Sequence, residues 1–552
     1  SLQTLCVADA SAREVQWIWR SDAAADEMNL FSYFQRDFRL ETVDARAAVW
    51  FAADSQAALY VNGHEVARKV TRFTVDHVRP ERVLIGPWLV RGSNTLLVLH
   101  HNWGDIKNFQ RTRTRRAGLW IAPVVGTGLP DVATDQRWKA TTAPQFVRHR
   151  QQIVGVTGDL RIRFPVIQDA RREPRTSQAM RLLPWKAARV IKKPIWSVQL
   201  DNDQDVPQRE FFFPVQRVIG AGTVSGLAVD RNGHDLNIDT RLNGATFTMD
   251  EKVGLQARNL TRSGPVTITA LAGETRYVTF DFDRVVHGYP SLSIRSSQSG
   301  AVLTFVYGEL ALSPIDGSAL VNASTGAIHT GDTVGRHYFD QYITVGRGQE
   351  AADLPDERTS RYLMVAIYFP TAGSVTLDKL GLIKSQYPLD WAGSFDGGDP
   401  RLEQIISLAK IQAEVSNTDV YVDTPGREDG AWLEDIQPRT QLADTWAGGS
   451  SAARRRVLML AEESRLADGR FLAFAPQSFL DVTAWDWGMR WVLMLRDEWR
   501  WTGDQRFLSA RWEALDRYIA LLLACVDENG LFRTSAVLGD LRVGKHLRSD
   551  RD

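Results

Sequence analysis

Phe395-Asp-Gly-Gly-Asp-Pro-Arg-Leu-Glu-Gln-Ile-Ile-Ser-Leu-Ala-Lys-Ile-Gln-Ala-Glu-Val415 marks the point where the hydrophobic pattern of this chain changes from strand-like to helical. Asp399 followed by Pro400 reads as an N-cap with proline at the first helical position, where its missing N–H costs nothing. Leu402, Ile405, Ile406, Leu408, Ile411 and Val415 then recur at helical spacing and predict one apolar face. A second helix is predicted over Ser451–Arg465 and a tryptophan-rich third over Thr483–Trp501. After Gly503-Asp504, residues Phe507, Leu508, Trp512, Leu515, Tyr518, Ile519 and Leu522 mark a fourth, ending before Gly530. Amphipathic helices joined by short links predict helical hairpins stacked around a centre, an α/α toroid.

Upstream of Phe395 the pattern is that of strands. Ala48–Ala53 leads to Ala57–Val61 and then to Asn62-Gly63, the strongest short hairpin signal. Gly92-Ser-Asn94 introduces Thr95–His100, and Gly118–Val125 follows a basic loop. Residues 1–130 are therefore expected to form a jelly-roll-like β-sandwich. A polar, arginine-rich stretch, Asp169–Pro184, precedes Arg276–Phe282, Ser291–Arg295, Val302–Tyr307, His337–Val345 and Tyr362–Phe369, all of strand composition. Gly288-Tyr-Pro290 and Gly308-Glu309 read as breaks between them. The expected architecture is multidomain β + α: antiparallel sandwiches over 1–130 and 131–394, then part of a toroid over 395–552. Strands first and helices afterwards argue against an interleaved α/β fold.

Composition narrows the function classes. The 552 residues carry 66 basic and 66 acidic side chains, so no net charge draws the chain to nucleic acid or to an anionic membrane. Arg111–Arg116 is short, lacks interleaved aromatics and reads as a solvated loop. No apolar run approaches the ~20 residues a spanning helix needs. Cys6 and Cys525 form neither a metal spacing nor a disulfide framework, which leaves cytoplasm, periplasm and secretion all open. The start at Ser1 fits a removed leader and a removed tag equally. Eighteen tryptophans suit stacking on sugar rings, and suit plain core packing as well.

Between the first two predicted helices lies Asp423-Thr-Pro-Gly-Arg-Glu-Asp-Gly-Ala-Trp-Leu-Glu-Asp435. Pro425 and Gly426 prevent a helix at its start, so part of it is expected to be a loop at the mouth of the helical scaffold. Glycoside cleavage needs one carboxyl kept protonated to serve the leaving oxygen, and inversion needs a second, ionised one to activate water. Crowded carboxylates raise one another's pKa, and the guanidinium of Arg427 beside Glu428 and Asp429 supplies asymmetry. Asp423 and Asp435 suit hydrogen bonds to sugar hydroxyls, and Trp432 suits stacking. A solvated acidic loop, or a metal site of oxygen ligands, would use the same residue types.

The run Asp423-x-Pro425-x-Arg427-Glu428, with Trp432 and Asp435 at fixed spacing, resembles the signature of the bacterial α-L-rhamnosidase family. Phe280–Pro290, Tyr307-Gly-Glu309, Phe395 into the first helix, and Trp501-Thr-Gly-Asp504 are similar to other segments of that family. The resemblance is weak over residues 15–125 and good over 270–530. It implies β-sandwich modules before an (α/α)6 barrel, and an inverting exo-acting hydrolase that releases terminal α-L-rhamnose from glycosides or polysaccharides without cofactor or metal. It assigns Glu428 as general acid, with Asp423, Asp435, Arg427, Asp429 and Trp432 around the sugar. Trp485-Asp486-Trp487 resembles a family stretch whose aromatic and Asp face the pocket, which adds Trp485 and Asp486 to the site, and packing within the toroid would use the same residues. Thr424 stands where the family commonly has cysteine, and Glu434 where glycine is frequent, which bears on fine substrate preference.

A six-hairpin barrel needs about twelve helices, on the order of 350 residues. The 158 residues from Phe395 suffice for five or six. The sequence is thus expected to be truncated, frameshifted or partial within the barrel, with the family's water-activating glutamate beyond Asp552. The polar tail Leu541–Asp552 lacks apolar periodicity. Purified as written, such a chain is expected to aggregate or to turn over little. Two other functions fit the same residues. A non-catalytic carbohydrate-binding protein would bind rhamnose-containing glycans without product. Another six-hairpin glycosidase or lyase would act on a different sugar, the lyase leaving an ultraviolet-absorbing product.

Overall fold

The computed structural model describes residues 15–532 except 69–70, 75–76, 105–116, 131, 150–151, 154–162, 192–197, 199–208, 227–243, 252, 254–264, 313–316, 329–337, 448–450 and 477–481. Cys6, Arg111–Arg116 and the tail Leu541–Asp552 lie outside the described residues.

The first β-module is two packed antiparallel sheets. One runs Lys186–Ala187, Lys139–Thr142, Leu30–Leu40, Gly92–Asn102, Gln56–Val61, His64–Ala67. The other runs Arg189–Val190, Ile18–Trp19, Gly118–Pro123, Ala48–Asp54, Glu81–Leu84. Gln56–Val61 alternates half-buried and buried residues, the signature of a strand with one face on a core. The hairpin expected at Asn62-Gly63 is present, with both residues at positive φ (51° and 88°), as the tight two-residue turn requires. Trp19, Phe34, Phe51, Leu59, Val98, Leu119 and Trp138 fill the space between the sheets. This module does not stop at residue 130. Lys139–Thr142 pairs with Leu30–Leu40, and Lys186–Val190 closes an edge of each sheet.

The second module is organised by one 22-residue strand, Thr275–Ser296. Its first part pairs with Arg217–Ser225 and Arg358–Tyr368. Its second part pairs with Gly348–Asp353 and Gly373–Gln386. A register shift between Asp281 and Val286 interrupts its pairing with Arg358–Tyr368, and the strand changes partners after Gly288. Gly288-Tyr-Pro290, expected as a break, therefore lies inside a strand. Glycine is needed at 288 for close approach, since a Cβ there would sit 2.3 Å from the Ile383 carbonyl oxygen. The break at Gly308 does occur, at the end of Val302–Gly308.

Helices occupy the remainder: α1 (Pro400–Ser416), α2 (Leu433–Ala447), α3 (Ser451–Glu463), α4 (Trp485–Thr502), α5 (Gln505–Ser509) and α6 (Trp512–Ala524). Asp399 caps α1, its carboxylate accepting from the Arg401 amide at 3.0 Å. The predicted apolar face of α1 is largely uncovered among the described residues: Leu402, Ile405 and Leu408 are 43, 61 and 65% exposed. What holds α1 is its C-terminal end, where Ala413, Val415 and Ser416 are buried. There Lys384 Nζ donates to the Val415 carbonyl. Helix α2 was not expected, because Pro438 interrupts it and its apolar spacing is sparse. The fourth predicted helix is two, broken at Ala510–Arg511. Leu433, Ile436, Val457, Leu458, Trp491, Met494, Leu495 and Tyr518 form the helical core. No helix among the described residues is long and apolar enough to cross a membrane.

Candidate active site

The thirteen-residue acidic stretch folds into a tight loop followed by a short strand and the start of α2. The Thr424 carbonyl accepts from the amides of Arg427, Glu428 and Asp429 at 3.2, 3.2 and 2.9 Å. Asp423 closes the loop from the other side. Its amide donates to the Gly430 carbonyl at 2.9 Å, and its Oδ1 accepts from the Gly430 amide at 3.0 Å. Ala431–Trp432 pairs with Phe474–Ala475, and α2 begins at once with Glu434 and Asp435 in its first turn. From within α2, Arg439 donates to the carbonyls of Val422 and Asp423 at 2.6 and 3.0 Å, so the helix braces the loop it follows.

Glu428 is the focus of this arrangement, with its side chain 16% exposed. Arg427 Nη2 lies 2.7 Å from Oε1, and Trp432 Nε1 donates to Oε2 at 2.8 Å. Trp432 is in turn set edge-on against Phe474 and Trp487, with ring centres 4.9 and 5.2 Å apart. An aromatic wall thus holds the indole that holds the carboxylate. Asp423 accepts from Thr424 Oγ1 at 2.7 Å. Burial, and next the charge of Glu428, push its carboxyl up to about 6. Asp435 is raised as well, by partial burial and then by Asp423. Two neighbouring carboxyls with one between its ionised and neutral states near neutrality can store and deliver a proton.

The structure gathers Asp423, Arg427, Glu428, Trp432 and Asp435 in one place and separates three other expected residues from it. Asp429 is buried to 1% exposure, with Oδ2 accepting from Arg163 Nη2 at 2.8 Å and Oδ1 3.5 Å from Arg72 Nη2. It is engaged by cations behind the loop rather than offered to a sugar. Trp485 stacks on Tyr518 of α6 and so belongs to the packing between α4 and α6. Asp486, beside it in the first turn of α4, is exposed. One turn position further, Trp487 is the residue that reaches Trp432. Glu434, at the position where charge was unexpected, is engaged bidentately by Arg490 at 2.5 Å.

Glu309 was not among the site residues expected from the sequence. Glu309, at the end of Val302–Gly308, lies against the loop, and a Cβ on Gly426 would sit 2.2 Å from its Oε1. Burial drives its carboxyl up to about 7 against the opposing pull of Arg427. Tyr307-Gly-Glu309 was visible in the sequence as a family-like segment, but its proximity to Arg427 is a matter of tertiary folding. Among the described residues no three His, Cys, Asp or Glu side chains converge as metal ligands.

Residues 390–547 match the bacterial α-L-rhamnosidase six-hairpin glycosidase domain family. No curated protein matches the chain in sequence. Solved structures that it resembles include a GH78-family rhamnosidase of Bacillus sp. GL1, with a TM-score of 0.71, 17% identity and 94% of this chain covered. The α-L-rhamnosidase of Dictyoglomus thermophilum gives 0.64, 15% and 96%. That of Streptomyces avermitilis, complexed with L-rhamnose, gives 0.60, 16% and 91%. The chain spans 70%, 55% and 42% of these three proteins respectively, and at such identities the likeness is one of fold. The chain therefore shares its fold with these solved rhamnosidases, and its residues 390–547 are similar to the bacterial α-L-rhamnosidase six-hairpin glycosidase domain.

Proposed function

We propose that the protein is an exo-acting α-L-rhamnosidase that cleaves with inversion, with Glu428 as the general acid. The observation that carries this reading is a carboxylate held at both oxygens, by Arg427 and by the Trp432 indole, beside a second carboxyl already pushed up to about 6. Asp423, with its carboxyl pushed up to about 6, is the group poised to hold a proton. A sugar whose hydroxyls donate to Asp423 favours its ionised form, since hydrogen bonds to a carboxylate stabilise the charge. Glu428, beside Asp423 and held by Arg427 and Trp432, is the carboxyl placed to serve the glycosidic oxygen. Asp435 and Trp432 complete the sugar site in this reading, as an acceptor and an apolar wall. The water-activating base is assigned to none of the described residues.

The test uses two substrates. Glu428→Gln removes the transferable proton and keeps the shape of the side chain. Turnover of a natural, poorly activated rhamnoside is expected to collapse, whereas an aryl rhamnoside with an acidic leaving group needs little help and is expected to lose far less. Unchanged turnover of the natural glycoside would refute the assignment. Saturable rhamnose binding with no product from either substrate in the wild type would favour a carbohydrate-binding protein instead.

A further inference from the structure

Behind Glu428 the loop is held by side chains from both β-modules. Arg72, on the segment between His64–Ala67 and Glu81–Leu84, grips Asp419 through Nε and Nη2 at 2.9 and 2.8 Å. Its Nη1 donates to the Asp429 carbonyl at 2.9 Å. Arg163 donates from Nη2 to Asp429 Oδ2 at 2.8 Å and from Nη1 to the Glu357 carbonyl at 3.1 Å. The Glu357 carboxylate is 3.6 Å away. From α3, Arg456 Nη2 donates to Thr71 Oγ1 and to the Arg72 carbonyl, fixing the segment that carries Arg72. Arg72, Arg163, Glu357, Asp419 and Asp429 are all buried.

Burying so many charges is a poor way to glue two modules together, because desolvation offsets most of the attraction and apolar contacts would serve as well. What ion pairs supply and apolar contacts do not is direction. Asp429, the residue after Glu428, adopts φ +55°, a left-handed conformation that a side-chain-bearing residue rarely takes. Glycine would enter that conformation more easily, yet only a carboxylate can be gripped by two guanidiniums from opposite sides. We propose that Arg72 and Arg163 are positioning residues that aim the Glu428 carboxyl by locking Asp429, so that both β-modules are parts of the acid machinery. The inference rests on reading Glu428 as the acid. A displacement of about 1 Å at a reacting group costs on the order of a hundredfold in rate, so a clamp of this kind has a kinetic consequence.

The experiment compares Asp429→Gly, Asp429→Asn, Arg72→Lys and Arg163→Lys in the full-length protein, with thermal denaturation alongside. Asp429→Gly keeps the left-handed turn and the Arg72 bond to the main-chain carbonyl, and removes the carboxylate that Arg163 holds. Asp429→Asn tolerates the turn and keeps one side-chain oxygen, which can accept from Arg163. Each variant is assayed on an alkyl rhamnoside and on para-nitrophenyl α-L-rhamnoside. Asp429→Gly and the two lysine variants are expected to lose at least about tenfold more kcat on the alkyl substrate than on the aryl one, with KM little changed. Asp429→Asn is expected to recover most of that difference. Equal losses on both substrates, tracking the melting temperature, would reduce the clamp to a structural bond and overturn the proposal. So would the absence of any loss in variants that fold. Glu428→Gln in the same assay separates the two ideas. If it discriminates between the substrates and the clamp variants do not, only the clamp fails. If it does not discriminate, the acid assignment fails and the clamp's catalytic role with it. Should Asp429→Gly not fold, the lysine variants decide.

Discussion

Replacing Glu309 by glutamine should make the protein more stable at neutral pH and leave it unchanged in acid. The carboxyl sits at the end of a strand of the second β-module, pressed against Gly426 of the acid loop. Burial moves it from 4.5 up to about 7, and Arg427 only partly opposes this. A folded-state pKa above the unfolded value means that the folded protein prefers the protonated group. Stability from this group is therefore fully present below pH 4.5 and declines as pH rises through the window up to about 7. The full displacement corresponds to about 3 kcal/mol. Glu309 retains some contact with solvent, and screening reduces the expected effect to about 1–2 kcal/mol. Glutamine has nearly the same shape and does not ionise, so Glu309→Gln removes the penalty. Thermal denaturation of both proteins across this pH window is the assay. The melting temperatures should coincide at the acid end and separate in favour of the variant toward neutrality. The separation should be a few degrees, given about 2–4 °C per kcal/mol for a unit of 150–250 residues. A difference that does not grow with pH would refute the reasoning. A variant less stable at neutral pH would show that Glu309 is held ionised by Arg427 and serves as its partner.

Other substitutions probe the rest of the site and its scaffold. Trp432→Phe removes the donor to Glu428 Oε2 while keeping a ring against Phe474 and Trp487. A hydrogen bond to a charged group contributes about 1.5–3 kcal/mol, so turnover of a poorly activated glycoside should fall roughly tenfold or more. Undiminished kcat would remove that bond from the mechanism. Trp487→Ala is expected to weaken L-rhamnose binding measured by calorimetry, whereas Trp485→Phe, which changes only packing against Tyr518, is expected to leave it alone. The reverse pattern would restore Trp485 to the site. In Gly488→Ala the new methyl group would meet Tyr518 Oη at 2.2 Å, where α4 crosses α6. Denaturation should show a loss of about 1–3 kcal/mol that Tyr518→Phe partly recovers. If the double variant is no better than the single one, the clash lies elsewhere.

Local chemistry was legible from the sequence because its causes lie within a few residues. Asp399-Pro400 starts a helix since a side-chain oxygen caps an amide two positions on, and Asn62-Gly63 makes a hairpin since both residues accept positive φ. The gathering of Asp423, Arg427, Glu428, Trp432 and Asp435 was legible for the same reason: one short loop and one helical turn hold them all. Gly288 was misread as a break because its cause, the Ile383 carbonyl, belongs to a neighbouring strand. The apolar stripe of α1 was read correctly as a pattern, but which part of it is covered depends on what packs there. Asp429 looked like its acidic neighbours until Arg72, 357 residues earlier, and Arg163, 266 residues earlier, were found around it. Trp487 in place of Trp485, and Glu309 beside Arg427, were likewise settled by how modules and helices dock. Sequence by itself determined the order of strands and helices, the acid loop and the residue types available for proton transfer. Tertiary structure decided which of those side chains are braced, which are sealed away and which have their carboxyls pushed up, because burial and the proximity of distant charges exist only once the chain has folded.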